Sequence, residues 1–210
     1  MRGVITGDII DSTAIPFAQR SELLDALHQI IADVNHFTDV HSEIFRGDSF
    51  QVLVEDPSQS MLVAILIRAG LKSKTPENLR KIWDARLAVG IGQTDFQSMN
   101  LATSDGEAFR LSGRGFDALG KDNISVHTPC EWTNDELNVS TGFVNDTINE
   151  WTASQAKIVY MALSEGLSQK EISERLGQTK QNISRHFSHS KIVLIQKYLE
   201  RFTRIINKME

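Results

Sequence analysis

"EIFRGDSFQVLV", residues 43–54, sets a Gly-Asp pair between two β-rich runs. The pattern predicts a hairpin with Asp48 at its turn. An acidic residue there is turn chemistry, an Arg-Gly-Asp adhesion tripeptide, or half of a metal site. The neighbouring stretches decide what the hairpin belongs to. Upstream, "GVITGDII" (3–10) is β-rich and apolar, and Leu23, Leu27, Ile30, Ile31 and Val34 recur at helical spacing within 18–37. Downstream come an apolar helix in "SQSMLVAILIRAGLKSK" (58–74), a strand in "ARLAVGIGQ" (85–93), a helix start within 104–121 and a closing strand in "NISVHT" (123–128). Strand, helix, hairpin, helix, strand, helix, strand is the split βαββαβ order of a ferredoxin-like domain with one further αβ unit. The fold class is therefore α+β, with the palm over residues 1–128.

Composition narrows the function classes. Hydrophobic content of 40% with 23% charged residues is that of a globular chain with a core. The aliphatic run "MLVAILI" (61–67) is far short of the roughly 20 residues of a membrane span. The first residues lack a signal-peptide layout, and the single cysteine, Cys130, forms neither an internal disulfide nor a thiolate zinc cluster. These features predict a cytoplasmic protein without membrane partners, which argues against the adhesion tripeptide. The six histidines (His28, His36, His41, His127, His186, His189) show no ligand spacing. Residues 167–210 carry nine Lys/Arg against four Asp/Glu, whereas the whole chain has a net charge of −5. A basic tail on an acidic body is either a polyanion-binding surface or a solvated helix. Residues 129–150 contain no Lys or Arg and no clear period, and read as an acidic linker.

From Trp151 the pattern is helical and well punctuated. Thr152 with Gln155, and Ser168 with Glu171, match capping boxes, and Gly166 and Gly177 fit helix ends. Two short helices, a glycine turn and a polar third helix give a helix-turn-helix over 151–210, with a bland alternative as a protein-interaction module. Its outward face would offer double-stranded DNA Thr179, Lys180, Gln181, Asn182, Ser184 and Arg185, with Lys170 and Arg175 towards phosphates. Beyond Phe187 the helix is expected to continue. Ile192, Ile195, Leu199, Phe202, Ile206 and Met209 form a heptad stripe that either packs on the chain's own helices or pairs two copies as a homodimer. "EGLSQKEISERLGQTKQNISRHF" (165–187) resembles the helix-turn-helix of LuxR-type regulators and of sigma-factor region 4.

In the expected sheet the first strand lies beside the hairpin, which brings Asp8 and Asp48 to adjacent strand ends. Two carboxylates so placed can share Mg2+ or Mn2+. Asp11 is either a third carboxylate or the cap of the next helix. "GDII" (7–10), "RGDSF" (46–50), "ARLAVGIG" (85–92) and "GEAFRLSGR" (106–114) together resemble the palm of class III nucleotide cyclases and GGDEF diguanylate cyclases. That resemblance implies a metal held by Asp8 and the next carbonyl, a nucleotide ligand, and catalytic roles for Arg114 and Arg110. Arg114 falls on the arginine that steadies transition-state charge, and Arg110 on an asparagine. The chain departs from the pattern at Arg110, at Ile44 (a base-reading lysine) and at Arg46 and Ser49 (the second glycine and the glutamate of GGDEF). A short palm followed by this helix-turn-helix resembles the SatD family of bacterial proteins. Three functions follow as expectations. The first is a DNA-binding transcriptional regulator whose palm senses a nucleotide-like ligand with a divalent cation. The second is a nucleotidyl cyclase or related phosphoryl-transfer enzyme tethered by its tail. The third is a protein-interaction scaffold without ligand or DNA.

Overall fold

The computed structural model describes residues 1–45, 48–79, 81–96, 101 and 104–209, so Arg46 and Gly47 of the hairpin turn lie outside the described residues. In chain order the strands are β1 (Arg2–Ile9), β2 (Val40–Phe45), β3 (Ser49–Val54), β4 (Ala85–Gly92), β5 (Thr94–Phe96), β6 (Asp105–Gly106) and β7 (Ile124–His127). The helices are α1 (Phe17–Val34), α2 (Ser60–Ser73), α3 (Glu107–Asp117), α4 (Glu131–Asn149), α5 (Ala153–Ser164), α6 (Gln169–Leu176), α7 (Lys180–His189) and α8 (Ile192–Ile206). Five strands form one sheet in the order β2-β3-β1-β4-β7. β1 runs antiparallel to both β3 and β4, and β7 adds parallel to β4. This is the ferredoxin-like order with the extra αβ unit at one edge. β5 and β6 form a small separate ribbon that the sequence pattern did not announce.

Alternation along the strands divides the sheet into two apolar faces. Ile5, Ile9, Phe50, Val52, Val54, Leu87, Val89 and Ile91 join the main core with α1 and α2, whereas Val4 and Leu53 pack with Leu101, Ala108 and Phe109 under α3. The main core does not stop at the palm. It continues without a break through Ile158, Ile183, Ile195 and Phe202 of the C-terminal helices. Gly70 marks the junction of α1, α2 and α5. A Cβ there would lie 2.6 Å from Ile30 Cδ1 and 3.0 Å from Tyr160 Cε2, so only hydrogen fits between the three helices.

Two expectations are corrected. Residues 131–149 are not a linker but α4, packed on β7 and α8. Its inward stripe is half polar, Thr133, Thr141 and Asn145 alternating with Leu137, Val144 and Ile148, which hides the helical period. Thr141 shares a 2.7 Å hydrogen bond with the Tyr198 hydroxyl, and Asn145 accepts one from the Asn123 N–H at 3.0 Å. The second correction concerns the C-terminal helix, which breaks at Ser190 and Lys191, the latter left-handed at φ 54°. Ile192, Ile195, Phe202 and Ile206 of the heptad stripe are then buried in the chain's own core, with Leu199 and Met209 packed against it. The stripe is an internal seam and is unavailable for pairing two copies.

One buried charge cluster ties these layers together. Arg68 of α2, fully buried, donates to both Asp84 carboxylate oxygens at 2.8 and 2.6 Å. It also donates to the Asn149 side chain of α4 at 2.7 Å, and Lys72 lies 3.2 Å from Asp84. The charges could not remain ionised in the core without such pairing and hydrogen bonding. Asp84→Ala would leave two buried cations without their counter-ion and is expected to cost about 3–5 kcal/mol, read as a lowered urea midpoint. A loss below roughly 1 kcal/mol, the scale of an exposed pair, would refute this role.

Candidate functional site

β1 and β3 set the site by register. Asp8 stands opposite Ser49 on β3 and Arg86 on β4, while Ile9 turns into the core beneath it. Asp48 precedes β3, and its carbonyl accepts a 3.1 Å hydrogen bond from the Ile9 N–H, fixing the turn to the end of β1. Ser12 Oγ donates to Asp48 Oδ2 at 2.6 Å, and Ser49 Oγ donates to Asp8 Oδ1 at 3.4 Å. Partial burial pushes the Asp8 carboxyl above its ordinary range, and the nearby Asp48 charge pushes it the same way. Hydrogen bonds from Ile9 and Ser49 and the Arg86 charge act in opposition. Two acids close enough to repel form a site that favours a positive charge between them. A cavity of about 170 Å3 opens beside Asp48, lined by Ser12, Arg20, Ile15, Leu23 and Leu24 among others. Its wall joins a guanidinium to an apolar floor.

The structure gathers some expected residues and separates others. Asp8 and Asp48 come together as the topology requires. Asp11 does not join them: it is left-handed at φ 52° and its carboxylate pairs with Lys81. Nor does its side chain cap the following turn, so both readings of Asp11 are corrected. Among the described residues no three His, Cys, Asp or Glu side chains gather as a metal set. Arg110 pairs with Asp105 at 2.8 Å and Asp95 at 3.5 Å, and Arg114 lies exposed one turn on. Among the described residues neither arginine bonds Asp8 or Asp48. Ser12, Arg20 and Arg86 were missed. The cross-strand register could have exposed Arg86.

A second surface is built on α6 and α7. Both expected capping boxes form: Thr152 with Gln155, and Ser168 with Glu171. Gly177, left-handed at φ 63°, ends α6, and the Thr179 hydroxyl caps α7 by accepting from the Asn182 N–H. Ile172 and Ile183 face inward and are fully buried. Lys180, Gln181, Ser184 and Arg185 are exposed on α7, and Lys170 is exposed on α6, 4.0 Å from Glu174. Gln178, Thr179, Gln181, Asn182 and Arg185 line one open hollow beside Gly177. Asn182 is already oriented, donating to Gln178 Oε1 at 2.9 Å and accepting from Arg185 at 2.7 Å. Arg175, expected near phosphates, instead pairs with Glu165. No helix among the described residues is long and apolar enough to cross a membrane.

No family model and no curated protein sequence matches the chain. Among solved structures it is similar to the active GGEEF domain of a diguanylate cyclase from Vibrio cholerae, with TM-score 0.45 and 13% identity over 62% of this chain and 83% of that one. It is also similar to a bacterial light-regulated adenylyl cyclase, with TM-score 0.41 and 12% identity over 60% of this chain and 74% of that one.

The raised Asp8 carboxyl has a measurable consequence. Asp8 holds its proton more tightly in the folded chain than in the unfolded one. Its contribution to stability is full below the unfolded value and is lost as pH rises through the folded value. Asp8→Asn is therefore expected to be more stable than the native chain at neutral pH. The gain should vanish on titration to about pH 4, followed by thermal melts in metal-free buffer. A gain that does not change with pH would contradict the assignment.

Proposed function

We propose that this protein is a DNA-binding regulator whose palm senses a nucleotide-like ligand together with a divalent cation. The observation that carries the reading is the exposed polar face of α7, held by a threonine cap and a glycine turn on a helical support. Gln181 and Asn182 suit adenine edges, Arg185 and Lys180 suit guanine edges or phosphate, and Lys170 suits the backbone. In the palm, Asp8 and Asp48 would hold the cation, Mg2+ or Mn2+, through hard oxygen donors. Such a cation would neutralise ligand phosphate charge. Arg20, across the cavity from Asp48, offers a guanidinium to the same phosphates. Coupling between the two surfaces of about 1–3 kcal/mol would alter operator affinity.

A second reading, a phosphoryl-transfer enzyme, is favoured by the Asp8–Asp48 pair at adjacent strand ends. It needs a cationic group at the reacting phosphate, and the acid-paired Arg110 is poorly suited to that work.

Both readings are open to direct measurement. The logarithm of the binding constant for a double-stranded DNA pool is expected to fall linearly with log salt, and Arg185→Ala to weaken binding by about 1–3 kcal/mol. Binding that ignores both would remove the DNA reading. Calorimetry with GTP or ATP and Mn2+ is expected to show binding that Asp48→Ala abolishes, without turnover. Triphosphate turnover lost in Asp8→Ala would favour the enzyme instead.

A further inference from the structure

α4 and α8 lie side by side and run antiparallel: Glu136 pairs with Arg201 at 2.6 Å, and further along α4 the Thr141 hydroxyl meets Tyr198. Seven large apolar side chains are exposed among the described residues, and five of them sit on these two helices. Trp132, Val139 and Phe143 are 64%, 67% and 71% exposed, and Val193 and Leu194 in the first turn of α8 are 56% and 60% exposed. The α4 residues recur at spacings of seven and four, a stripe on the side of the helix away from buried Leu137, Val144 and Ile148. An apolar stripe this exposed on a well-packed helix marks an interaction surface.

Charge indicates what covers it. α4 carries Glu131, Asp135, Glu136 and Asp146 and no Lys or Arg, so laying α4 on a second α4 sets acid against acid. The outward side of α8 has the opposite net sign: beyond Val193 and Leu194, Lys197 and Arg204 are exposed against the one acid Glu200, and Arg201 is already paired with Glu136 of its own chain. Each molecule thus presents an acidic apolar helix next to a basic apolar helix. A two-fold axis between two such pairs puts each α4 on the other copy's α8, which meets the self-complementarity a closed dimer requires.

We propose that a second copy of this chain docks on the α4–α8 face, α4 of each protomer lying along α8 of the other. This face differs from the internal seam of α8, which the core has already consumed. Hydrophobic contact supplies the affinity, and the crossed charges fix the orientation and make association weaken with salt.

The test uses the full-length chain in sedimentation equilibrium over a dilution series. The native chain is expected to dimerise. Trp132 emission should shift to the blue as it does so, because Trp83 and Trp151 are only 2% exposed and already shielded. Val139→Glu with Phe143→Glu, and separately Lys197→Glu with Arg204→Glu, should weaken association at least roughly tenfold with unchanged circular dichroism. Asp135→Lys with Asp146→Lys should do the same. Mixing the acidic-α8 variant with the basic-α4 variant should restore a dimer, since both crossed contacts then regain opposite charge. A native chain monomeric at every concentration overturns the proposal and assigns the stripe to another partner. A dimer indifferent to either glutamate pair, or a mixture that stays monomeric, overturns it as well.

Discussion

The bidentate pair between Arg68 and Asp84 is the constraint on which the other layers rest. It places a charged cluster in a fully buried position, where an incomplete set of partners would be costly. Asp84 uses both its carboxylate and its carbonyl. Its carboxylate holds Arg68 and Lys72, and its carbonyl accepts from the Ile10 N–H at 3.0 Å. Ile10 follows Asp8 by two residues, so the loop bearing the acidic site is anchored to the same residue that anchors α2. Through Asn145 and Asn149 the cluster also fixes α4. A core built only of aliphatic side chains would allow these elements to slide, whereas a fork of directional hydrogen bonds accepts one arrangement.

From α4 the path continues to α7 by ordinary packing and one more directional contact. The Trp151 indole donates to the Ser190 carbonyl at 2.9 Å, at the end of α7. On the other side, the Tyr160 hydroxyl donates to Asp33 at 2.7 Å and joins α5 to α1. Burial and this hydrogen bond with an acid both hold the Tyr160 proton far above its usual range, so the contact persists through the physiological range. The acidic site and the polar face of α7 therefore belong to one continuously packed body.

How much of this was legible in the sequence depended on the range of the interactions concerned. The palm topology was readable because strand alternation, the hairpin and the helix period are local patterns, and they placed Asp8 beside Asp48. Both capping boxes were readable for the same reason. α4 was not, because its inward stripe includes Thr133, Thr141 and Asn145, residues whose partners lie far away in sequence. The α8 stripe was readable as apolar, but which surface covered it was a question of tertiary packing. Ser12 and Arg20 gain meaning only when the turn after β1 folds back on Asp48. Asp11 misled because a left-handed backbone turned its carboxylate towards Lys81.

The single hydrogen atom that serves as the side chain of Gly70 bears on whether the C-terminal helices are portable. At that point Ile30 from the palm and Tyr160 from α5 close on α2 from two sides. Residues 151–210 cut away from the rest would carry Tyr160, and the face of α5 that packs on α2, into water with nothing to replace the palm's contribution. Grafting them onto another protein would transplant an adhesive surface rather than a folded unit. The helical segment is better regarded as one wall of a shared building than as a detachable room.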